Sequence, residues 1–408
     1  MSDFNLTACP LDGDLYFNLS GRVASQNVNE LGSMLAMERK NNPGGSVIFN
    51  CENLLYISSA GLRVLLSFNK KEKERIKIIN VSPEAYEIFD ITGFTELFEV
   101  TKKLRDVSDA DVKKMGYSGG VTVYYIGEDI LMKVYPEDTR LEEIENERQN
   151  AQAAMLFDIP TLIAYDIVTY KDRYGMLYEL PKAHTVLSMI ETSPRKLVPY
   201  AQEMGKLLKK LHSVSFMLDS VERVSEVYKG YARDMAEWLH PSEVEMLVKL
   251  IDFIPESDTI LYGNFTAQNV FVHQEDELIL INMAGLQYGN PLYDLGRIYM
   301  RYKNKSNKLT KRMTGFEPYR AAQFWDAMMA SYFGTNDISI LKQHEKVIEA
   351  GAQLFAAIYP ASYRATHGGR NLDPEDLNIF VPQARRGLFM ALEHFALLLS
   401  SKELIIHS

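Results

Sequence analysis

The sequence predicts an α/β domain followed by a larger α+β domain, and three patterns carry that expectation. Across residues 13–100, short apolar runs of strand length alternate with helical spacings. After residue 116 the chain reads strand, turn, strand and then a strong helix former. From about 195 it is mostly helical, with one strand-rich interruption at 259–282. At 408 residues the chain exceeds one typical domain, so two or three units are expected.

In the first part, "DLYFNL" places Leu15, Phe17 and Leu19 at period two, while "SVIFN" and "IKIIN" are β-branched runs suited to buried strands. Between them, "AGLRVLLSFNKKEKE" sets Leu62, Leu65 and Leu66 at helical spacing, and a β-α-β order follows. "VSPEAYEIFDITG" then supplies Ser82 as N-cap, Pro83 at the first helical position and Gly93 as a stop. The charged run "TKKLRDVSDADVKKMG" lacks an apolar period, which sets the expected bounds: a domain at 1–104, a linker at 105–111 and a second domain at 112–408. That second domain opens with "GYSGGVTVYYIGEDILMKVY", two strands about a turn at Gly127, Glu128 and Asp129. "RLEEIENERQNAQAAML" continues as a helix with Glu143 and Glu147 on one face at i, i+4. The late apolar stretch "GLFMALEHFALLLS" is too short and too interrupted to cross a bilayer and reads as a core helix.

Composition narrows the function. Hydrophobic residues make up 46% and charged residues 24%, the profile of a soluble globular protein. A net charge of -10 argues against general binding of nucleic acid or anionic lipid. Two cysteines, Cys9 and Cys51, provide no disulfide framework and no CxxC metal site, and the first residues lack a secretory pattern, so a cytoplasmic location is expected.

"YISSAGLRVLL" ends a strand and opens a helix on Ser58 and Ser59. A serine there can cap the helix. It can also accept a phosphate, which would meet free N–H groups at the positive end of the helix dipole. With "LSGRV" before it and "VSPEAYEIFDITGFTELFEV" after it, this run resembles the STAS domain of bacterial anti-sigma-factor antagonists over residues 5–100. The resemblance implies Ser59 as a phosphorylation switch, and a serine kinase of the anti-sigma-factor type, or another regulatory protein, as partner. Ser58 and Ala24 stand where that family often carries Asp. An interaction module without the switch is the alternative.

Phosphoryl transfer from ATP needs a loop over the phosphates, a Lys held by a helix Glu, a base near the acceptor hydroxyl and acidic metal ligands. "GYSGG" offers Gly116, Ser118, Gly119 and Gly120 in a turn whose backbone can approach phosphate. Lys133, in the apolar run "ILMKVY", needs a partner if it is buried, and Glu147 supplies one, with Glu143 one turn earlier as the fallback. Together with "YGMLYEL", "LYGNFTAQNVFV" and "LILINMAGLQYGNPLYDLG", these pieces resemble the aminoglycoside phosphotransferase and choline kinase superfamily, from about 112 to 400. The resemblance implies a bilobal protein-kinase-like fold divided near residue 180, with ATP as ligand. Tyr178, Glu179 and Leu180 would form the hinge that meets adenine through backbone bonds. Lys133 would bind phosphate, Asn269 would be a neutral metal ligand, and Asp294 would brace the catalytic loop.

Three positions depart from that family. Its catalytic loop reads approximately "HGDxxxxN", and this chain has Tyr262, Gly263 and Asn264; its second metal motif has Asp where Asn282 stands. An amide cannot take the proton of an attacking hydroxyl, a loss on the order of 10²–10⁴-fold. Mg²⁺ prefers carboxylate oxygen, so metal affinity is expected to fall. The leading expectation is a regulatory STAS and pseudokinase fusion that binds nucleotide with little or no transfer. The alternatives are an ATP-dependent phosphotransferase acting on a small hydroxylated molecule, and a scaffold that binds no ligand.

Overall fold

The computed structural model describes residues 4–11, 13–72, 75–118, 121–179, 183–215, 221–273, 277–303, 307–366 and 372–404. The chain divides into two compact units, Met1–Asp106 and Val107–Ser408.

In the first unit, strands Phe4–Leu11, Asp14–Val23, Val47–Asn50, Lys77–Val81 and Glu99–Lys102 lie side by side in that order, and Leu54–Ile57 pairs with the far end of Asp14–Val23. The first pair is antiparallel and the rest are parallel. Leu15, Phe17 and Leu19 are buried as their period-two spacing requires, and they meet Leu62 and Leu65 of helix Ser59–Asn69 in one core. Ser82 accepts a hydrogen bond from the Ala85 N–H at 3.2 Å to cap Pro83–Ile91, and Gly93 turns the chain out at φ +72. Helix Val28–Asn41 adds a second cover, although only Leu31 and Leu35 of its length are fully buried.

The second unit opens with the charged stretch read as linker, and here Val107 is buried against the sheet residues Met132, Val134, Val168, Tyr170 and Leu177. Strands Val112–Ser118, Val121–Ile126, Ile130–Val134, Arg173–Glu179 and Ala164–Tyr170 follow one another across an antiparallel sheet, with the tight turn at Gly127, Glu128 and Asp129. Helix Leu141–Leu156 buries Ile144, Glu147, Ala151 and Ala154. The remainder is helical, built on Leu197–His212 against Pro318–Phe333 and on Ile338–Thr366 against Pro374–Glu393. Short strands Val270–Val272 and Leu278–Leu280 pair in the strand-rich interruption. "GLFMALEHFALLLS" is not one core helix: it breaks at His394, and while Leu388, Ala391 and Leu398 are buried, Phe389, Phe395 and Leu399 are exposed. The stretch holds more apolar residues than one helix face can bury. Among the described residues no helix is long and apolar enough to cross a membrane.

Candidate functional site

Strand alternation decides where Lys133 goes. Met132 and Val134 are fully buried on one side of the sheet, which turns Lys133 to the other side and onto helix Leu141–Leu156. There its ammonium donates to Glu147 Oε1 at 2.7 Å and to Oε2 at 2.8 Å. Glu147 is 1% exposed, so the pair is sheltered from solvent on the carboxylate side. Each carboxylate oxygen also accepts a phenol, Oε1 from Tyr178 at 2.8 Å and Oε2 from Tyr135 at 2.7 Å. Burial pushes both phenols well above the ordinary tyrosine range, and the charge of Glu147 adds to it. Glu143 lies out on the exposed face with Arg140 at 2.8 Å and takes no part.

The hinge expectation changes with this geometry. Tyr178 sits inside its strand opposite both Leu131 and Ala164, so its phenol rather than its backbone reaches the site. The Glu179 N–H donates to the Ile163 carbonyl at 3.1 Å, and its carboxylate accepts the Ile163 N–H at 3.1 Å. Leu180 lies outside the described residues, as do Gly119 and Gly120. Gly116 and Ser118 belong to strand Val112–Ser118, opposite Val123 and Val121.

Across from the lysine, the loop that begins at Tyr262 is held from behind by Asp294. The buried carboxylate accepts the Tyr262 N–H at 2.7 Å and the Gly263 N–H at 2.8 Å, and His212 Nε2 lies 3.3 Å from it. Burial alone would raise this carboxyl; contact with His212, the charge of Arg297 and the Tyr262 N–H bring it below the ordinary carboxylate value. His212 is itself fully buried, with Tyr332 OH 2.8 Å from Nδ1, and Arg297 donates to the Gly263 carbonyl at 2.7 Å. Gly263 is a glycine by necessity: φ is +80, and a Cβ would lie 2.8 Å from the Gly285 carbonyl oxygen. Tyr262, in place of the family's histidine, donates its hydroxyl to the Ile281 carbonyl and so ties the two loops together. Tyr135, His212 and Arg297 are absent from the sequence reading as site residues. Nothing in local spacing distinguishes them from core or surface residues.

The two amides face the open side. Asn264 is exposed, and its carbonyl accepts from Asn269 Nδ2 at 2.9 Å. Asn282, at φ +68, turns its side-chain oxygen onto Lys133 Nζ at 2.9 Å. The oxygen that would coordinate a metal is thus spent on a cation's proton. Among the described residues no group of three His, Cys, Asp or Glu side chains gathers to hold an ion. This donor set does not fit Mg²⁺, a hard cation that selects carboxylate and phosphate oxygen.

In the first unit the two adjacent serines divide their roles. Ser58, 7% exposed, is the N-cap and accepts the Gly61 N–H at 3.2 Å. Ser59 is the first helical residue and is exposed.

Comparison with known proteins adds two family matches. Residues 8–107 match the STAS domain family, and residues 116–323 match the phosphotransferase enzyme family. BtrV of Bordetella bronchiseptica, described as an anti-sigma factor antagonist, is 35% identical over 98 residues, covering 23% of this chain and 84% of that protein. Among solved structures, a choline/ethanolamine kinase family protein from Mesorhizobium loti aligns at 12% identity and a TM-score of 0.46, over 71% of this chain and 92% of that one. The ADP-bound aminoglycoside phosphotransferase APH(2'')-Ib aligns at 14% identity and a TM-score of 0.48, over 75% and 98%.

Proposed function

We propose that this chain, a member of the phosphotransferase enzyme family with a STAS domain at its N-terminus, is a regulatory protein whose second unit binds a nucleoside phosphate and transfers little or none of it. One observation carries this reading. The phosphate-binding lysine and its glutamate are built in full, at 2.7 and 2.8 Å, while the base and metal positions are the amides Asn264 and Asn282. Binding needs the first set and transfer needs the second. Loss of two carboxylates also removes two negative charges from beside a polyphosphate, which favours nucleotide without a metal. The STAS unit would meet a regulatory protein, with exposed Ser59 as the acceptor if that partner is a serine kinase.

Thermal unfolding with ATP, ADP and GTP, each with EDTA or with Mg²⁺, tests the proposal. Expected is a rise in Tm with ATP in EDTA that is lost in Lys133→Ala. A rise that requires Mg²⁺ would favour the transferring enzyme instead, and no rise with any nucleotide at low millimolar concentration would remove the reading.

A further inference from the structure

We propose that Asn282 is a built-in competitor for the phosphate-binding ammonium: its side-chain oxygen occupies the one N–H of Lys133 that a ligand phosphate can take, and so sets both the strength and the metal independence of binding. The inference rests on the nucleotide reading above and specifies how that site is controlled.

An ammonium has three N–H donors and no acceptor. Among the described residues, Lys133 meets three acceptors: Glu147 Oε1 at 2.7 Å, Glu147 Oε2 at 2.8 Å and Asn282 Oδ1 at 2.9 Å. They are not equally replaceable. Glu147 is buried and fixed by two further phenol bonds, so withdrawing the ammonium from it would strand a buried charge. Asn282 is exposed and neutral. Both bonds have an ionised donor, but a phosphate oxygen carries formal negative charge where the amide oxygen carries only a partial one, so a phosphate oxygen displaces the amide while the glutamate stays in place.

The amide is aimed rather than merely nearby. The carbonyl of the preceding residue, Ile281, accepts the Tyr262 hydroxyl, and the carbonyl of the following residue, Met283, accepts Asn150 Nδ2 at 3.3 Å. Side chains therefore hold the backbone on both sides of Asn282, whose left-handed φ of +68 is one that Asn tolerates better than most residues. A carboxylate at the same place would bind Lys133 as an ion and repel phosphate unless a divalent cation stood between them. The amide removes the repulsion and leaves a weak competitor. The ligand class this selects is a nucleoside di- or triphosphate free of divalent cation.

Two measurements on the full chain test the proposal: calorimetric titration with ADP in EDTA, and the rate of Lys133 acetylation by acetic anhydride, read by mass spectrometry, with and without tripolyphosphate. Expected for Asn282→Ala is a 3- to 10-fold tighter Kd for ADP, faster acetylation of Lys133, and protection by tripolyphosphate at lower concentration than in the parent. Expected for Asn282→Asp is at least 10-fold weaker ADP binding in EDTA, partly restored by Mg²⁺. Equal or weaker ADP binding in Asn282→Ala overturns the proposal and leaves the nucleotide reading intact. If no variant binds ADP but tripolyphosphate protects Asn282→Ala better than the parent, the competition stands and the nucleotide reading falls. If acetylation and protection are also unchanged, both fall.

Discussion

Asp294, in the first turn of helix Leu292–Tyr302, and Asn282, in the loop after strand Leu278–Leu280, are treated in opposite ways. Asp294 is a buried carboxylate that receives two backbone N–H groups and meets a buried histidine. Asn282 is an exposed amide whose side chain, among the described residues, meets Lys133. The same contrast separates Glu147, sealed by four bonds, from Asn264, whose side chain lies in the open. Carboxylates persist where the fold needs an acceptor for groups that water cannot reach, and amides stand where only chemistry would need the charge. A protein that had lost the whole site would show no such division. The Lys133–Glu147 pair and the Asp294 brace are built in full, while positions 264 and 282 are amides.

The contrast is broken most directly by removing one member of each kind. Asp294→Ala leaves the N–H groups of Tyr262 and Gly263 buried without an acceptor, at about 1–3 kcal/mol each, so the second unit should lose ~3–5 kcal/mol and on the order of 10 °C in Tm. Asn282→Ala removes an exposed side chain and leaves Ala at a left-handed φ of +68, so it should cost about 1 kcal/mol, well short of Asp294→Ala. Comparable losses in denaturant titrations of the two variants would mean that the division between support and chemistry is not real.

Acid sharpens the same comparison. The Asp294 carboxyl is held below its ordinary value, so the folded state releases its proton more readily than the unfolded chain. Its stabilisation is therefore complete above the unfolded value of about 3.9 and is lost as pH falls through the folded value. Stability measured from pH 5 to 3 should fall less steeply in Asp294→Asn than in the parent. Parallel curves would show that the carboxylate does not carry the brace.

How much of this the sequence discloses depends on whether a residue's partner lies within local spacing. Lys133 can be singled out because an ammonium in an apolar strand demands an anion, and the next helix offers Glu147 on a legible face. Asn264 and Asn282 stand out only against a family pattern; composition and period are silent on them. His212 carries no local signal beyond its place at a helix end, and it is buried in the core. That it also meets Asp294, 82 residues later, is a tertiary fact with no periodic trace. Tyr178 differs in the other direction: the family resemblance implies backbone recognition there, whereas two strands flank it and its phenol reaches Glu147. Helix Val28–Asn41 is hard to discern because only Leu31 and Leu35 are fully buried along it, too few to mark a face. The helix-start serines are legible as a pair, but which one caps depends on where the helix begins, and helix ends are the least certain part of such a reading.

A finer test lies in the seal around Glu147. Tyr135→Phe removes one of four bonds to the carboxylate and leaves Lys133 and Tyr178 in place, so the loss should be about 0.5–1.5 kcal/mol, well short of Asp294→Ala. Tyr178→Phe should cost a similar amount, because it takes the matching bond from the other oxygen. The double variant should cost more than the sum, since the two phenols share one buried acceptor and the second removal leaves Glu147 with Lys133 alone. A double-mutant cycle measured by urea unfolding reads that coupling directly. Strict additivity would mean that the phenols fill space beside Glu147 without holding it, and that Lys133 alone keeps the carboxylate in its place.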